Sequence, residues 1–298
     1  MADKLDMPDT LLENDVVGYG LSSWVVRVDA VAKCYLSRET GLREREITVY
    51  RRLTTEYGEP HECIVPFYGI LNGTLLLQFQ QNGSIRQYRK RSHQPVSLQI
   101  LLRWAEQIAR GVDFLHKKNV LHGDLSCNNI FIDVDLNARI GDFAGSSIDG
   151  LPFLTVYEIS HALPGDTSVS IRRELFALGS TLYELMTGYT PFHDKDTSDI
   201  ERLFSQDQFP SLKDVPVLDQ VILRCWKGQY NVATDVLNDI YEGIAVLDAQ
   251  SSDTHILLLG RLAASTILKK MDLLSPSASL ALMLVAFLPI MLWLRRRT

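Results

Sequence analysis

The sequence predicts an α+β fold in which strands come first, helices follow and a hydrophobic segment comes last. Residues 24–35 and 74–79 are rich in Val, Leu and aromatic side chains, as strands usually are. From residue 98 to residue 115, apolar side chains recur at the spacing of an amphipathic helix. Residues 273–294 then contain no charged side chain over 22 positions.

The composition of the chain restricts the partners that we expect. Its 298 residues carry a formal net charge of −6 at pH 7, which argues against nucleic acid as a partner because nucleic acids attract basic surfaces. The four cysteines show no spacing typical of a metal site, so we expect reduced thiols. The first residues are acidic and lack an apolar run, so no signal peptide is expected.

The first element is a glycine-containing turn. Residues 17–25 read Val-Gly-Tyr-Gly-Leu-Ser-Ser-Trp-Val. Gly18 and Gly20 would let the backbone approach phosphate oxygens without a Cβ in the way, and Ser23 still permits a tight turn. Taken alone, two glycines in a hairpin are equally consistent with an ordinary turn.

The next elements are a strand that carries a lysine and a helix that carries a glutamate. Residues 24–35 predict two strands of an antiparallel ribbon, with Lys33 on the second strand. Residues 42–53 predict a helix with an apolar stripe. The stripe consists of Ile47, Tyr50 and Leu53. Glu46 flanks this stripe and can face the sheet, whereas Glu44 is expected to be a surface charge.

The middle of the chain predicts a buried strand, a long helix and a short hairpin. The strand covers residues 74–79 and is broken by residues 80–84. The helix follows from apolar side chains at helical spacing, namely Leu98, Leu101, Ala105, Ile108, Ala109, Val112 and Leu115. Residues 129–132 and 138–140 predict a hairpin whose second strand leads to Asp142.

The functional prediction depends on the segment between that helix and Asp142. Residues 122–129 read His-Gly-Asp-Leu-Ser-Cys-Asn-Asn, and residues 142–144 read Asp-Phe-Ala. Phosphoryl transfer uses such a set, because Asp124 can accept the proton of an attacking hydroxyl while oxygens of Asn129 and Asp142 can hold Mg²⁺. An Asp-rich turn that caps a helix would explain residues 122–129 on their own. The phosphoryl-transfer interpretation therefore requires the other segments of such a site to occur in order along the chain.

Taken in order, these segments resemble the protein kinases. Residues 173–188 resemble the central buried helix of the kinase large lobe, and residues 224–226 supply a matching Arg-Cys-Trp. The resemblance spans about residues 14–248 and implies a two-lobed, kinase-like fold. Residues 14–82 would form a small, β-rich lobe with a five-stranded sheet and one main helix, and residues 83–248 a large, mostly helical lobe.

The resemblance also implies which residues would bind ATP and Mg²⁺ and perform catalysis. Asp124 would be the base, Lys33 would grip the phosphates while paired with Glu46, and Asn129 and Asp142 would bind Mg²⁺. The nucleotide-binding residues would be Val17, Gly18, Gly20, Ser23, Val25, Ala32, Lys33 and Phe131, with Leu77 at the gatekeeper position. The apolar members of this set could equally be ordinary core residues.

Three positions near the catalytic residues depart from the kinase pattern. Gly123 stands in place of an Arg that docks a phosphorylated activation loop, so we expect any activity not to depend on such phosphorylation. Ser126 replaces a Lys, so one positively charged side chain that would contact the γ-phosphate is missing. Ala144 replaces the glycine of Asp-Phe-Gly and stiffens a turn that often needs unusual backbone angles.

Two further departures concern the scaffold. Gly165 stands where kinases have Glu, and Glu174 stands where the central helix usually begins with Asp. If the residue that corresponds to Arg224 pairs in kinases with the Glu that Gly165 replaces, its partner is missing here. An unpaired buried charge is costly unless another group satisfies it. We therefore expect an atypical kinase.

The five residues with expected chemical roles are all present, namely Lys33, Glu46, Asp124, Asn129 and Asp142. The sequence therefore favours an active kinase that transfers the γ-phosphoryl group of ATP to a Ser or Thr of a protein substrate. The alternative is a membrane-anchored pseudokinase scaffold that binds nucleotide without efficient catalysis. Small-molecule kinases of the aminoglycoside phosphotransferase type also contain His-Gly-Asp-Leu. Because residues 175–192 resemble a protein kinase and residues 162–164 a peptide-docking segment, a protein substrate is favoured.

The C-terminal part predicts a membrane anchor. Residues 273–294 are long enough to cross the ~30 Å hydrocarbon layer as a helix that rises about 1.5 Å per residue. Trp293 and the arginines at 295–297 suit a membrane interface. The alternative is a helix folded onto the large lobe. The other predicted segments are an N-terminal tail (1–13), a juxtamembrane connector (249–272) and a basic tail (295–298).

Such a segment implies a single-pass, tail-anchored protein whose kinase domain lies in the cytosol. The short basic tail favours the mitochondrial outer membrane over the endoplasmic reticulum. The sequence makes no prediction of the oligomeric state.

Overall fold

A computed structural model of the protein describes residues 16–19, 24–26, 28–54, 61–92, 94–247 and 249. None of the helices in these ranges combines the length and the hydrophobicity that a bilayer crossing requires. The predicted membrane span at residues 273–294 lies outside the described residues, as do Gly20 and Ser23 of the glycine-containing turn.

The N-terminal part contains the longer strands of the described chain. Strand β1 (Val16–Tyr19) pairs antiparallel with β2 (Trp24–Val26). Strands β3 (Ala30–Lys33), β4 (Phe67–Leu71) and β5 (Thr74–Gln78) form an antiparallel sheet in the order β3-β5-β4. The side chains of β5 alternate between half-buried and buried positions, so one face of this sheet packs on a core.

The predicted ribbon within residues 24–35 is wrong in its partners. In the described chain β2 pairs with β1, and β3 pairs with β5 so that Val31 lies opposite Leu77. In place of the predicted five-stranded sheet, the described residues form a two-stranded sheet and a three-stranded sheet. Strand propensity is a local property, whereas the choice of partner follows from which faces are buried together.

Helix α1 (Thr40–Leu53) buries Tyr50 and Leu53 of the predicted stripe, with Val49 in place of Ile47. Val49, Tyr50 and Leu53 are buried, whereas Ile47 is only half-buried. The buried face therefore follows the i, i+3, i+4, i+7 pattern that starts at Glu46. Glu46 lies within this face and is fully buried, so its carboxylate requires polar partners.

The C-terminal part is mostly helical, with two short ladders between its helices. Its helices are α2 (Ile85–Arg91), α3 (Leu98–Lys117), α4 (Ile171–Thr187), α5 (Thr197–Ser205), α6 (Asp219–Trp226) and α7 (233–247). The ladders pair β6 (Val120–Leu121) with β9 (Ser147–Ile148), and β7 (Ile130–Ile132) with β8 (Ala138–Ile140). A short 3-10 helix covers Ile159–His161.

Helices α3 and α4 form the core of this part. Helix α3 starts after Ser97, whose side chain accepts a hydrogen bond from the Ile100 N–H. The predicted apolar face of α3 is confirmed from Leu101 to Leu115, which are both buried. Helix α4 is buried nearly all round, as expected for a helix at the centre of a helical core.

The hairpin β7–β8 is confirmed and positions two predicted site residues. In this antiparallel pair Ile130 lies opposite Ile140. Asn129 precedes β7 and Asp142 follows β8, so both residues lie at the same end of the hairpin. The Gly141 N–H donates to the Asn129 carbonyl across a distance of 3.1 Å, which holds the two segments together.

We predict that Gly179→Ala destabilises the fold. Gly179 lies where α4 approaches α6, and a Cβ there would lie 2.6 Å from Cys225 Cβ. Overpacking of this kind typically costs about 1–3 kcal/mol. The free energy of unfolding of the full-length chain, measured in urea, should fall by that amount. Gly41→Ala in α1 is the control, since nothing lies within 4 Å of its Cβ position, and equal stabilities of the two variants would contradict the prediction.

Candidate active site

The centre of the site is the Lys33 ammonium, which lies between two carboxylates from distant parts of the chain. Its Nζ donates to Glu46 Oε1 over 2.9 Å and to Asp142 Oδ1 over 2.7 Å. Glu46 also accepts hydrogen bonds from the Phe143 N–H at 3.1 Å and from the Tyr35 hydroxyl. These contacts satisfy the buried Glu46 carboxylate, and they bring α1, β3 and the segment after β8 together.

The choice of Glu46 over Glu44 is borne out by the positions of the two side chains. Glu44 is exposed to solvent, and Glu46 contacts Lys33. Tyr35 is a member of this group that the sequence reasoning missed. It follows Lys33 by two residues, so the period of a strand could have indicated that both side chains lie on one face.

Asp124 and Asn129 form the second part of the site. Asn129 Nδ2 donates to the Asp124 backbone oxygen at 2.7 Å and to Asp124 Oδ2 at 3.0 Å. His122 Nε2 donates to the Gly141 carbonyl at 2.9 Å, while its Nδ1 accepts from the Asp124 N–H at 3.2 Å. The buried His122 ring therefore fixes the backbone around Asp124 without contacting its carboxylate.

The two aspartates differ in their affinity for protons. Burial raises the pKa of Asp124, and His122 and Asn129 oppose this only in part. Burial also disfavours the charged form of Asp142, but the Lys33 ammonium outweighs it and lowers the pKa of Asp142 below the usual range. Asp124 is thus the better proton acceptor, and Asp142 is the more firmly ionised carboxylate.

A cavity of about 400 Å³ opens beside Lys33 and Asp142. Of the predicted nucleotide-binding residues, Ala32, Lys33 and Phe131 line it, together with Leu77. Val17, Gly18 and Val25 lie on strands whose side chains are outside the description, and Gly20 and Ser23 lie outside the described residues. The sequence reasoning missed further lining residues, namely Val31, Tyr50, Val65, Gln80 and Gln87.

A larger cavity, of about 770 Å³, lies beside α2 and α4. Neither Lys33, Asp124 nor Asp142 lines it, so its size does not make it the reaction site. The smaller cavity has apolar walls and a charged end, which is the usual character of a site for a small molecule.

Comparison with known proteins assigns the family. The family described as Protein kinase domain matches residues 29–262, which is more than half of the chain. This chain belongs to the protein kinase family. The match starts after the glycine-containing turn at residues 17–25, so that turn gains no support from it.

Two curated kinases illustrate the similarity. The chain is 24% identical over 199 residues to "CBL-interacting protein kinase 10" of Oryza sativa subsp. japonica, an alignment that covers 62% of this chain and 42% of the relative. It is 26% identical over 197 residues to "Serine/threonine-protein kinase A-Raf" of Mus musculus, covering 59% of this chain and 31% of the relative. The alignments thus span less than half the length of these relatives.

The position at the start of the central helix, where kinases usually have Asp and this chain has Glu174, shows how one departure is accommodated. Glu174 on α4 is fully buried. Its carboxylate accepts from the N–H groups of His122 at 2.7 Å and Gly123 at 3.2 Å, and from the Tyr157 hydroxyl. Glu has a longer side chain than the Asp of other kinases, and Glu174 still binds the backbone of residues 122–129, the catalytic loop. This contact fixes the residues that precede Asp124.

Arg224 has a partner in spite of the glycine at position 165. Its guanidinium pairs with Asp239 of α7 and lies 4.3 Å from the centre of the Tyr230 ring. The Tyr230 hydroxyl also donates to Asp239. The Glu partner of other kinases is absent at position 165, and Asp239 further along the chain satisfies Arg224 in its place.

Ala144 and Gly123 are both compatible with the backbone around them. The left-handed residue of the Asp-Phe-Ala segment is Asp142, with φ of 63°, and Ala144 does not have a positive φ. Gly123 has φ of +80°, and a Cβ at this position would lie 2.5 Å from Phe153 Cδ1. Phe153 lies in the activation segment, which we define as residues 142–165, and occupies the space beside position 123. The Arg173 guanidinium lies 5.4 Å from the centre of the Phe153 ring.

We predict that Gly123→Ala destabilises the protein more than Gly150→Ala. Both glycines have φ of +80°, but only Gly123 has a neighbour that a Cβ would meet. Positive φ costs an alanine about 1–2 kcal/mol at either position, and contact with Phe153 adds about 1–3 kcal/mol at position 123. Urea unfolding of the two variants measures the difference, and equal losses would show that Phe153 does not restrict this position.

Proposed function

We propose that this chain is an ATP-dependent protein kinase that phosphorylates Ser or Thr hydroxyls. The observation that carries the proposal is the Lys33 ammonium held between Glu46 and Asp142 at the end of the cleft cavity. The name of the mouse relative, "Serine/threonine-protein kinase A-Raf", supports the choice of Ser or Thr. Catalysis in this reaction class comes mostly from positioning and electrostatics.

In the proposed reaction Lys33 orients the phosphates of ATP. Its ammonium is already fixed by Glu46, so little reorganisation is needed when phosphate oxygens approach. The apolar cavity walls, such as Ala32 and Phe131, would hold the base of the nucleotide. In the proposed reaction, the γ-phosphoryl group would face Asp124 and Asn129.

Asp124 would accept the proton of the attacking hydroxyl. Its pKa is raised by burial, which makes its carboxylate a stronger base than an exposed aspartate. The Asn129 amide binds Asp124 Oδ2 at 3.0 Å and leaves the other oxygen free to face a substrate. Asn129 therefore orients the base.

Asn129 and Asp142 are suited to hold Mg²⁺. Bound Mg²⁺ would neutralise charge on the phosphates, and it commonly takes one or two protein oxygens besides phosphate and water. The Asn129 amide nitrogen is engaged with Asp124, so its oxygen can face a metal, and Asp142 is firmly ionised. Within the described ranges, no group of three or more His, Cys, Asp or Glu converges as a metal site.

We predict that Asp124→Asn abolishes most phosphoryl transfer while nucleotide binding persists. General bases typically contribute about 10²–10⁴-fold, so autophosphorylation and phosphorylation of a general protein substrate should fall by that factor. Binding of Mg-ATP, measured by thermal shift, should be similar in both proteins because Lys33 is unchanged. Equal phosphorylation rates would reject the catalytic assignment, and the absence of a wild-type shift with Mg-ATP would favour a scaffold.

We also propose that residues 273–294 anchor the protein in a membrane with the kinase domain in the cytosol. The support is the uncharged run of 22 residues, followed by arginines at 295–297. A charge at the centre of such a segment costs about 2.5–3.5 kcal/mol on insertion scales. The proposal does not depend on catalytic activity.

We predict that Leu284→Arg, near the centre of this segment, moves the protein from the carbonate-resistant membrane fraction to the soluble fraction. Deletion of residues 273–298 should have the same effect. Ser275→Arg, in the Ser- and Pro-rich first part of the segment, is the control and should stay with membranes. If the deletion variant remains in the membrane fraction, these residues are not the anchor.

A further inference from the structure

A group of charged side chains lies behind the catalytic loop and centres on Arg86 of α2. The Arg86 guanidinium donates to both oxygens of Glu158, each at 2.7 Å, and to both oxygens of Glu184, one of them at 2.9 Å. His161 Nε2 lies 3.3 Å from Glu184 Oε2. Glu184 and His161 are buried, and Arg86 and Glu158 are half-buried.

This group is bonded directly to the catalytic loop. Ser126 Oγ donates to Glu158 Oε1 at 3.0 Å, and the Cys127 N–H donates to Glu184 Oε2 at 3.4 Å. The Arg86 N–H in turn donates to the Cys127 carbonyl at 3.3 Å. Ser126 lies between Asp124 and Asn129, so the loop that carries both residues is held through these contacts.

The three acidic and basic partners come from separate elements. Arg86 lies in the first turn of α2, Glu158 in the activation segment just before the 3-10 helix, and Glu184 near the end of α4. A guanidinium is planar and offers paired N–H groups in a fixed geometry, so it can engage two carboxylates at once. Burial alone would raise the pKa of Glu184, but His161 and Arg86 outweigh it and lower the pKa to about 2.

We propose that Arg86 is a positioning residue for phosphoryl transfer. It holds Glu158 of the activation segment against Ser126 of the catalytic loop. This contact fixes the loop although position 126 carries no lysine. This inference rests on the proposed kinase function. A lysine at position 126 would bring its own charge into the loop, whereas here the cation comes from α2 and reaches the loop through Glu158. Ser126 contributes only a hydroxyl, which suffices because Arg86 neutralises the carboxylate that it meets.

The test compares four full-length variants with the wild type: Arg86→Met, Glu158→Gln, the double variant, and Lys90→Met as the control for loss of a cation from α2. Lys90 is exposed. For Arg86→Met we expect kcat to fall roughly 10- to 100-fold, the effect of misplaced reacting groups, with KM for ATP unchanged. Lys90→Met should keep the wild-type kcat.

The double variant separates positioning through Glu158 from simple loss of stability. If Arg86 acts by holding Glu158 on Ser126, kcat per folded protein should fall no further in the double variant than in Arg86→Met, because that contact is already lost. Losses of kcat that multiply in the double variant would overturn the proposal, as would a kcat for Arg86→Met within twofold of the wild type.

Two measurements keep the test decisive if a variant folds poorly or the wild type is inactive. If Arg86→Met does not fold, hydrogen exchange at residues 127–129 in Glu158→Gln decides, because Glu158 is the partner through which Arg86 reaches Ser126. Faster exchange supports the proposal, and unchanged exchange overturns it. If the wild type is no faster than Asp124→Asn, the kinase function itself fails. Hydrogen exchange at residues 127–129 then still reports on how firmly the catalytic loop is held. Faster exchange in Arg86→Met supports the proposal, and unchanged exchange overturns it.

Discussion

The architecture of the site depends on a single ammonium group shared by two carboxylates. Lys33 lies on β3, Glu46 on α1 and Asp142 after β8, and the contacts among them are 2.7–2.9 Å long. Glu46 is fully buried, and a buried carboxylate without a cation is strongly unfavourable. The sheet, the helix and the hairpin must therefore come together around Lys33, and the cleft cavity forms where they meet.

The chain departs from the kinase pattern at scaffold positions, and other side chains satisfy the same groups. Glu174 binds the loop backbone, and Asp239 pairs with Arg224. Phe153 occupies the space beside Gly123. In each case a buried polar group or a space is matched by a residue distant in sequence, as close packing and buried hydrogen bonding require. Departures from a motif therefore do not by themselves indicate a defective site.

Sequence reasoning found side chains that the structure brings together, and it missed several that support them. Asp124, Asn129 and Asp142 are recognisable because their spacing follows from one loop and one hairpin. The partner of β3 and the burial of Val49 in place of Ile47 were not predictable, because both depend on how the elements pack. Local periodicity reports which side chains are apolar, and only packing selects the neighbour that covers them.

The sequence by itself determined the order of the strands and helices, the ionisable residues of the site and membership in the kinase family. The tertiary structure decided which charges meet. Arg86, Glu158 and Glu184 are separated by 26 to 98 positions along the chain, and nothing in their local sequence pairs them. Their pairing is a consequence of burial, since carboxylates and a guanidinium that leave water together are stable only in mutual contact.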